Sequence, residues 1–250
     1  MTSFRSLVIA VWSAVVLCLA SLTATAADFP CPAYSAPIRV NFVTHAPPVT
    51  YNNEKNVTGI RDIFVGRGIA MAGPHIQALG VTFTSPLFSI EGHTRIESHN
   101  GGMCVYLVEV DVDFGFRSMD VYVASEYPPG TCEYRTILDH ENQHVSLNNE
   151  ALHQQAPQVR AELERLLADE QPMYVMDATT ATHQILAALV QRMQPVIGAF
   201  EQDLSQRNHS IDTAQNYKAT SAVCANWDRG NVWPQVKAAG APPPSPTQQR

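Results

Sequence analysis

Apolar and polar residues divide this chain into a strand-patterned first half and a helix-patterned second half. Ile38-Arg39-Val40-Asn41-Phe42-Val43 alternates with the two-residue period of a half-buried strand, and Val81 to Ile90 is rich in Thr, Phe and Val. Met103 to Phe114 alternates most clearly. Its pattern places Tyr106, Val108, Val110, Val112 and Phe114 on one face and Glu109, Asp111 and Asp113 on the other. Phe114-Gly115-Phe116 is expected to turn this strand into the next, Arg117 to Ala124. A helix is expected from Ile60 to Leu79, weakened by Gly66, Gly68, Gly73 and Pro74.

From Thr131 to Asn208 the period becomes helical. Thr131 is the expected N-cap, following Pro128-Pro129-Gly130, and Tyr134 and Ile137 open the apolar stripe. Pro157 is expected to kink or break this helix, with Gln171-Pro172 ending it. A second helix from Thr179 should bury Ile185, Leu189, Val196, Ile197, Phe200 and Leu204. Asn208 to Trp233 is mixed in pattern. Strands first and helices second predict an α+β fold, a mostly antiparallel N-terminal sheet packed against C-terminal helices.

The two ends bound this domain at 27–237. Met1 to Arg5 has one positive charge, Leu7 to Leu22 is nearly all apolar, and Ala24-Thr25-Ala26 has the small-x-small form of a cleavage site. Residues 1–26 therefore read as a signal peptide, and the mature protein as exported, periplasmic or secreted, without stable membrane insertion. Residues 238–250, with Pro242-Pro243-Pro244 and Pro246, read as a disordered tail. The chain carries 16 Lys and Arg against 23 Asp and Glu, a formal charge of −7. With no basic run, it has no means of neutralising phosphates, so nucleic acid is excluded as a partner.

Export changes the meaning of the cysteines. Cleavage removes Cys18 and leaves Cys31, Cys104, Cys132 and Cys224, with no C-x-x-C spacing for a thiolate metal site. Two disulfides are expected, with Cys104–Cys132 and Cys31–Cys224 the favoured pairs among three connectivities.

The chemistry concentrates in Asp139-His140-Glu141-Asn142-Gln143-His144. On a helix, residues four apart lie about 40° from one another, so both imidazoles can reach one Zn²⁺. Glu141 is rotated about 60° beyond His144, beside the metal without being forced onto it, where it could take a proton from a zinc-bound water. Tyr134, Leu138, Val145 and Leu152 lie about 120–160° from His140, which sets the histidines at the border of the buried stripe.

The run Thr131 to His144 resembles the active-site helix of the zincin metallopeptidases, and the exported, strand-rich layout resembles small secreted bacterial zinc proteases of unknown function. The resemblance implies His140 and His144 as zinc ligands and Glu141 as general base. It also implies that the strand ending near Ala124 is the edge strand that aligns an extended peptide or protein substrate by backbone pairing. In the metzincin pattern the third ligand stands six residues after the second histidine, which implies Glu150. Here Leu147 stands in place of that pattern's glycine, and an unbroken helix would hold Glu150 on the polar side, about 80° from His140. Asn148-Asn149 could break the helix. The gluzincin pattern instead draws a carboxylate from a later helix, with Glu162, Glu164 and Glu201 as candidates. His209 and Asp212, ahead of Tyr217, are further options.

The other features have plainer readings. His45, His75, His93, His99 and His183 lack metal spacing, and Glu109, Asp111 and Asp113 read as a solvated sheet face. Asn56-Val57-Thr58 and Asn208-His209-Ser210 have the form of glycosylation acceptors. Tyr217 reads as core packing or as an oxyanion donor. The leading expectation is an exported zinc-dependent peptidase using Glu141. The alternative is a non-hydrolytic metal-binding or interaction protein of the cell envelope.

Overall fold

A computed structural model describes residues 31–66 and 78–225. The expected signal peptide, the expected tail and positions 67–77 of the expected first helix lie outside the described residues. The chain order is β1 (Arg39–His45), β2 (Val49–Asn52), α1 (Val57–Gly66), β3 (Gly80–His99), β4 (Gly102–Val123), α2 (Cys132–Ala168), β5 (Met173–Val175), α3 (Ala181–Ile211) and α4 (Ala214–Ser221). The α+β expectation holds. β3 and β5 run antiparallel to β4, whereas β1 and β2 run parallel to it.

Strand β4 is the spine of the sheet. β3 follows one of its edges from Gly102 to Val123. A strand has only two edges, so β5, β1 and β2 share the other in tandem, at 103–105, 109–115 and 119–122 of β4. The expected turn at Phe114-Gly115-Phe116 does not occur, and the strand continues through it. Gly115 serves another purpose there. Its φ is +135°, and an added Cβ would collide with the carbonyl oxygen of His45 at the end of β1.

Two bulges set which residues face the helices. On β3, His93 pairs with Glu109 and Thr94 with Leu107, which leaves Val108 unpaired; Ser85 pairs with Ser118 and Pro86 with Phe116, which leaves Arg117 unpaired. Each extra residue reverses the alternation. Val105 and Leu107, then Val110, Val112, Phe114 and Phe116, then Met119 therefore all join the main core. Tyr106 and Val108 do not share a face with Val110, as strict alternation had placed them. They pack on the opposite side around Cys31 and Cys104.

Helices α2 and α3 cover the sheet's inner face. The stripe Leu152, Val159 and Leu163 on α2 meets Leu189, Met193 and Phe200 on α3 over Phe114 and Phe116. They run antiparallel: Arg192 donates to the Leu166 carbonyl at 3.0 Å, and Arg207 to Gln154 Oε1 at 2.7 Å. Thr131 caps α2 as expected, its Oγ1 accepting from Tyr134 N–H at 3.2 Å. Pro157 does not end the helix. It forfeits one backbone hydrogen bond within a segment where Ala156, Val159 and Leu163 are buried, and this packing carries the helix through. Val196 is half-buried rather than a core residue. No helix of the described residues is long and apolar enough to cross a membrane.

Both disulfides form, in a different pairing from the favoured one: Cys31–Cys104 and Cys132–Cys224. The sheet explains the correction. Cys104 is at the start of β4, and Cys132 follows its far end, a span of about 3.3 Å per residue that no disulfide bridges. Parallel pairing of Arg39 with Glu109 brings the chain before β1, and Cys31 with it, alongside Cys104.

Candidate metal centre

The site lies where α2 and the end of α3 face each other. On α2, His140, His144 and Asn148 follow one another at four-residue intervals and continue the stripe of Leu152. On α3 the matching series is Leu204, Asn208 and Asp212, Asp212 being the C-cap. Because the helices are antiparallel, these polar residues meet as rungs. His140 Nε2 and His144 Nε2 each lie 3.2 Å from Asp212 Oδ1. His144 Nδ1 lies 2.7 Å from Asn208 Oδ1, and Asn208 Nδ2 donates to Asn148 Oδ1 at 2.7 Å.

Among the described residues, His140, His144 and Asp212 form a group that could hold a metal ion, their ligand atoms all within 4.8 Å of one another. The spacing fits. Two donors each bound at about 2.1 Å to one tetrahedral ion stand about 3.4 Å apart, close to the observed 3.2 Å. Two imidazoles and a carboxylate are also a common donor set for zinc. The imidazoles are nearly perpendicular, with ring centroids 5.0 Å apart. His140 Nδ1 is buried with no hydrogen-bond partner among the described residues, where Nε2 is that ring's one engaged nitrogen.

Asp212 is the residue the sequence reasoning left among several options. Glu150 is not brought to the histidines. Helix α2 does not break at Asn148-Asn149, so Glu150 stays on the polar side, with its side chain 57% exposed, accepting from Gln154 Nε2 at 2.8 Å and lying 3.8 Å from Arg207. Glu162 pairs with Arg165, and Glu164 with Arg160. Glu201 is exposed, and His209 turns outward to the Ser205 carbonyl. A signal for Asp212 was present: Asn208 and Asp212 extend the buried stripe Phe200–Leu204 with polar residues, which a core tolerates only when they are paired.

Glu141 is 4% exposed and stands apart from the ligand group. Thr82 Oγ1 on β3 donates to its Oε2 at 2.9 Å. Gly80 makes room for it, since a Cβ there would fall 2.7 Å from Glu141 Oε1 and 2.6 Å from Ile137 Cγ2. Burial raises the Glu141 carboxyl above the ordinary glutamate value, against the pull of both imidazoles and the Thr82 hydrogen bond.

The segment from Asp212 to Cys224 crosses over the histidines as a strap. Tyr217 donates to Asp212 Oδ1 at 2.6 Å, and its ring centroid lies 5.4 Å from that of His140. Burial and the Asp212 carboxylate push the Tyr217 phenol far up. Burial alone would raise Asp212, but the hydrogen bonds from His140, His144 and Tyr217 hold it well below the ordinary aspartate range. The Cys132–Cys224 disulfide ties the strap to the first turn of α2 across 92 residues of sequence. In the chain-entropy view, removing it with Cys132→Ser and Cys224→Ser should cost about 4–5 kcal/mol in denaturant unfolding. A loss under about 1 kcal/mol would show that packing alone holds the strap.

Burial works against charge on His144, yet the Asp212 hydrogen bond and the Glu141 carboxylate outweigh it, so its imidazolium is held above the ordinary value. Its stabilisation is complete below about pH 6.5 and is lost as pH rises through the folded value. The raised Glu141 acts in the same direction, because a buried acid destabilises the fold as it ionises. The lowered Asp212 contributes above about pH 3.9 and loses that contribution as pH falls. Denaturant titrations of chelated protein should therefore find stability falling as pH rises from about 5 to 8. A flat or rising profile would contradict this electrostatic account.

Elsewhere the expectations resolve simply. Glu109, Asp111 and Asp113 lie on the face away from the helices, engaged by Arg39, Asn41, His93, His45 and Ser89. Among the other histidines, His99 contacts Asn100 and His183 is exposed, while His75 lies outside the described residues. Asn208 spends its amide nitrogen inside the protein and is no glycan acceptor.

Fold and site together define an α+β protein with a candidate His/His/Asp metal centre. No protein-family model matches the chain, and neither a curated protein nor a solved structure does.

Proposed function

We propose that this chain is an exported zinc-dependent peptidase, with His140, His144 and Asp212 as ligands and Glu141 as general base. The observation that carries the reading is the placement of Glu141: a buried carboxylate next in sequence to one ligand, outside the ligand trio, with no Lys or Arg partner among the described residues. A site that only holds metal has no use for such a group, and leaving it buried there costs stability.

When bound, zinc supplies Lewis acidity that polarises a carbonyl and brings the pKa of water to about 7. Thr82 Oγ1 occupies Glu141 Oε2, which leaves Oε1 to take a proton and return it to the departing amine. A carboxyl raised by burial is suited to both halves of that exchange.

The strand ending near Ala124 cannot align a substrate, because β2 and β3 occupy both edges of β4 there. That role passes to β3. Among the described residues β3 pairs with β4 alone, and its Gly80–Thr82 end touches Glu141. An extended peptide could add to that edge. Export belongs to the same reading, supported by the two disulfides.

A non-hydrolytic metal-binding protein is the second reading, favoured by the burial of both imidazoles under Tyr217. Hydrolysis of an unfolded protein, assayed after chelation and after zinc is restored, separates the two. The peptidase reading expects cleavage that stops and returns. Cleavage indifferent to chelation would overturn it.

A further inference from the structure

We infer that Asn208 and Asn148 form a relay that selects the tautomer of His144 and so aims its Nε2 at the metal. The inference rests on the metal reading above and gives a role to two residues outside the ligand trio.

The hydrogen bonds leave one arrangement. Asn208 Nδ2 donates to the Leu204 carbonyl and to Asn148 Oδ1, each at 2.7 Å, so both amide hydrogens are committed. Asn208 Oδ1 is then the atom facing His144 Nδ1 at 2.7 Å, and a carbonyl oxygen can only accept. Nδ1 must carry the hydrogen. A neutral His144 ring therefore presents a bare Nε2, 3.2 Å from Asp212 Oδ1. A lone pair facing a carboxylate oxygen at that distance is repulsive, and a cation between them removes the repulsion.

Turning the Asn208 amide over would set its oxygen against the Leu204 carbonyl and point its NH₂ at His144 Nδ1. Asn148 is 3% exposed, which keeps water from rescuing that arrangement. Among the described residues His140 has no equivalent, because its Nδ1 meets no hydrogen-bond partner there. His144 is thus the ligand whose orientation is set before metal arrives, as outer hydrogen bonds commonly do for metal-bound histidines. Were the two asparagines merely pinning α2 to α3, the tautomer would be indifferent to them.

The test reads the tautomer directly. Two-bond ¹⁵N–¹H spectra of the metal-free mature chain, at a pH where the imidazoles are neutral, should show His144 protonated at Nδ1. Asn208→Leu should give a tautomer mixture and bind cobalt(II) about 10–100-fold more weakly. Asn208→Asp keeps an acceptor at His144 Nδ1 and should keep the parental tautomer, although its second oxygen loses the bond to the Leu204 carbonyl. If Asn208→Leu fails to fold, Asn208→Met carries the same expectation, since it too removes the oxygen that faces His144 Nδ1. His144 protonated at Nε2 in the parent would overturn the relay, as would a folded Asn208→Leu or Asn208→Met with parental tautomer and affinity. His140→Ala in the same titration keeps the failures apart. Undiminished cobalt binding there overturns the metal reading itself, whereas undiminished binding confined to the asparagine variants overturns only the relay.

Discussion

Asp212→Ala should weaken zinc binding more than a hundredfold, and Glu150→Ala should leave it unchanged. Asp212 Oδ1 is the atom both imidazoles share, at 3.2 Å from each. Removing it takes away one of three ligands and the only negative charge among them, a larger loss than the 10–100-fold typical of an outer hydrogen-bond partner. Asp212→Asn is the more demanding comparison. It preserves shape and a ligating oxygen but not the charge, so affinity should lie between parent and Asp212→Ala. Glu150 is the matched control because it stands six residues after His144, yet lies on the solvent side of an unbroken α2 with Gln154 and Arg207. Competition with a chromophoric chelator measures all three. Loss of zinc in Glu150→Ala with retention in Asp212→Ala would place the third ligand where the sequence pattern suggested and refute the geometry.

Glu141→Gln separates chemistry from metal holding. Glutamine matches the size of the carboxylate and can still accept from Thr82 Oγ1, so the Gly80–Thr82–Ile137 surroundings should close around it as before. It cannot take a proton. Hydrolysis should fall by about 10²–10⁴, the usual contribution of a positioned base, while zinc occupancy stays near the parental level. Stability should rise slightly above neutral pH, because a buried group that resists ionisation is replaced by one that never ionises. Full activity with full zinc would remove Glu141 from the mechanism and leave the metal centre standing.

Local signals in the sequence carried far, and tertiary ones did not. The N-cap at Thr131, the helical run through His140 and His144, and the α+β order all rest on contacts within a few residues, where propensity and periodicity act. Asp212 is 68 residues beyond His144 and reaches it through the antiparallel packing of α2 on α3, which no fixed spacing encodes. The disulfide count followed from parity and compartment, but the pairing depended on which end of β4 each cysteine occupied. The turn expected at Gly115 failed because a glycine in a strand can mark a close approach as well as a turn. The bulges at Val108 and Arg117 were hidden because each inserts one residue, so strict alternation reads the wrong face on one side of it.

The most direct measurement is a crystal structure of the zinc-loaded protein, with the ion located by its anomalous scattering. The account predicts one peak about 2.0–2.2 Å from His140 Nε2, His144 Nε2 and Asp212 Oδ1, with Glu141 outside the coordination shell and a position not taken by protein. An ion bound elsewhere, or one closed in by a fourth protein ligand, would contradict it.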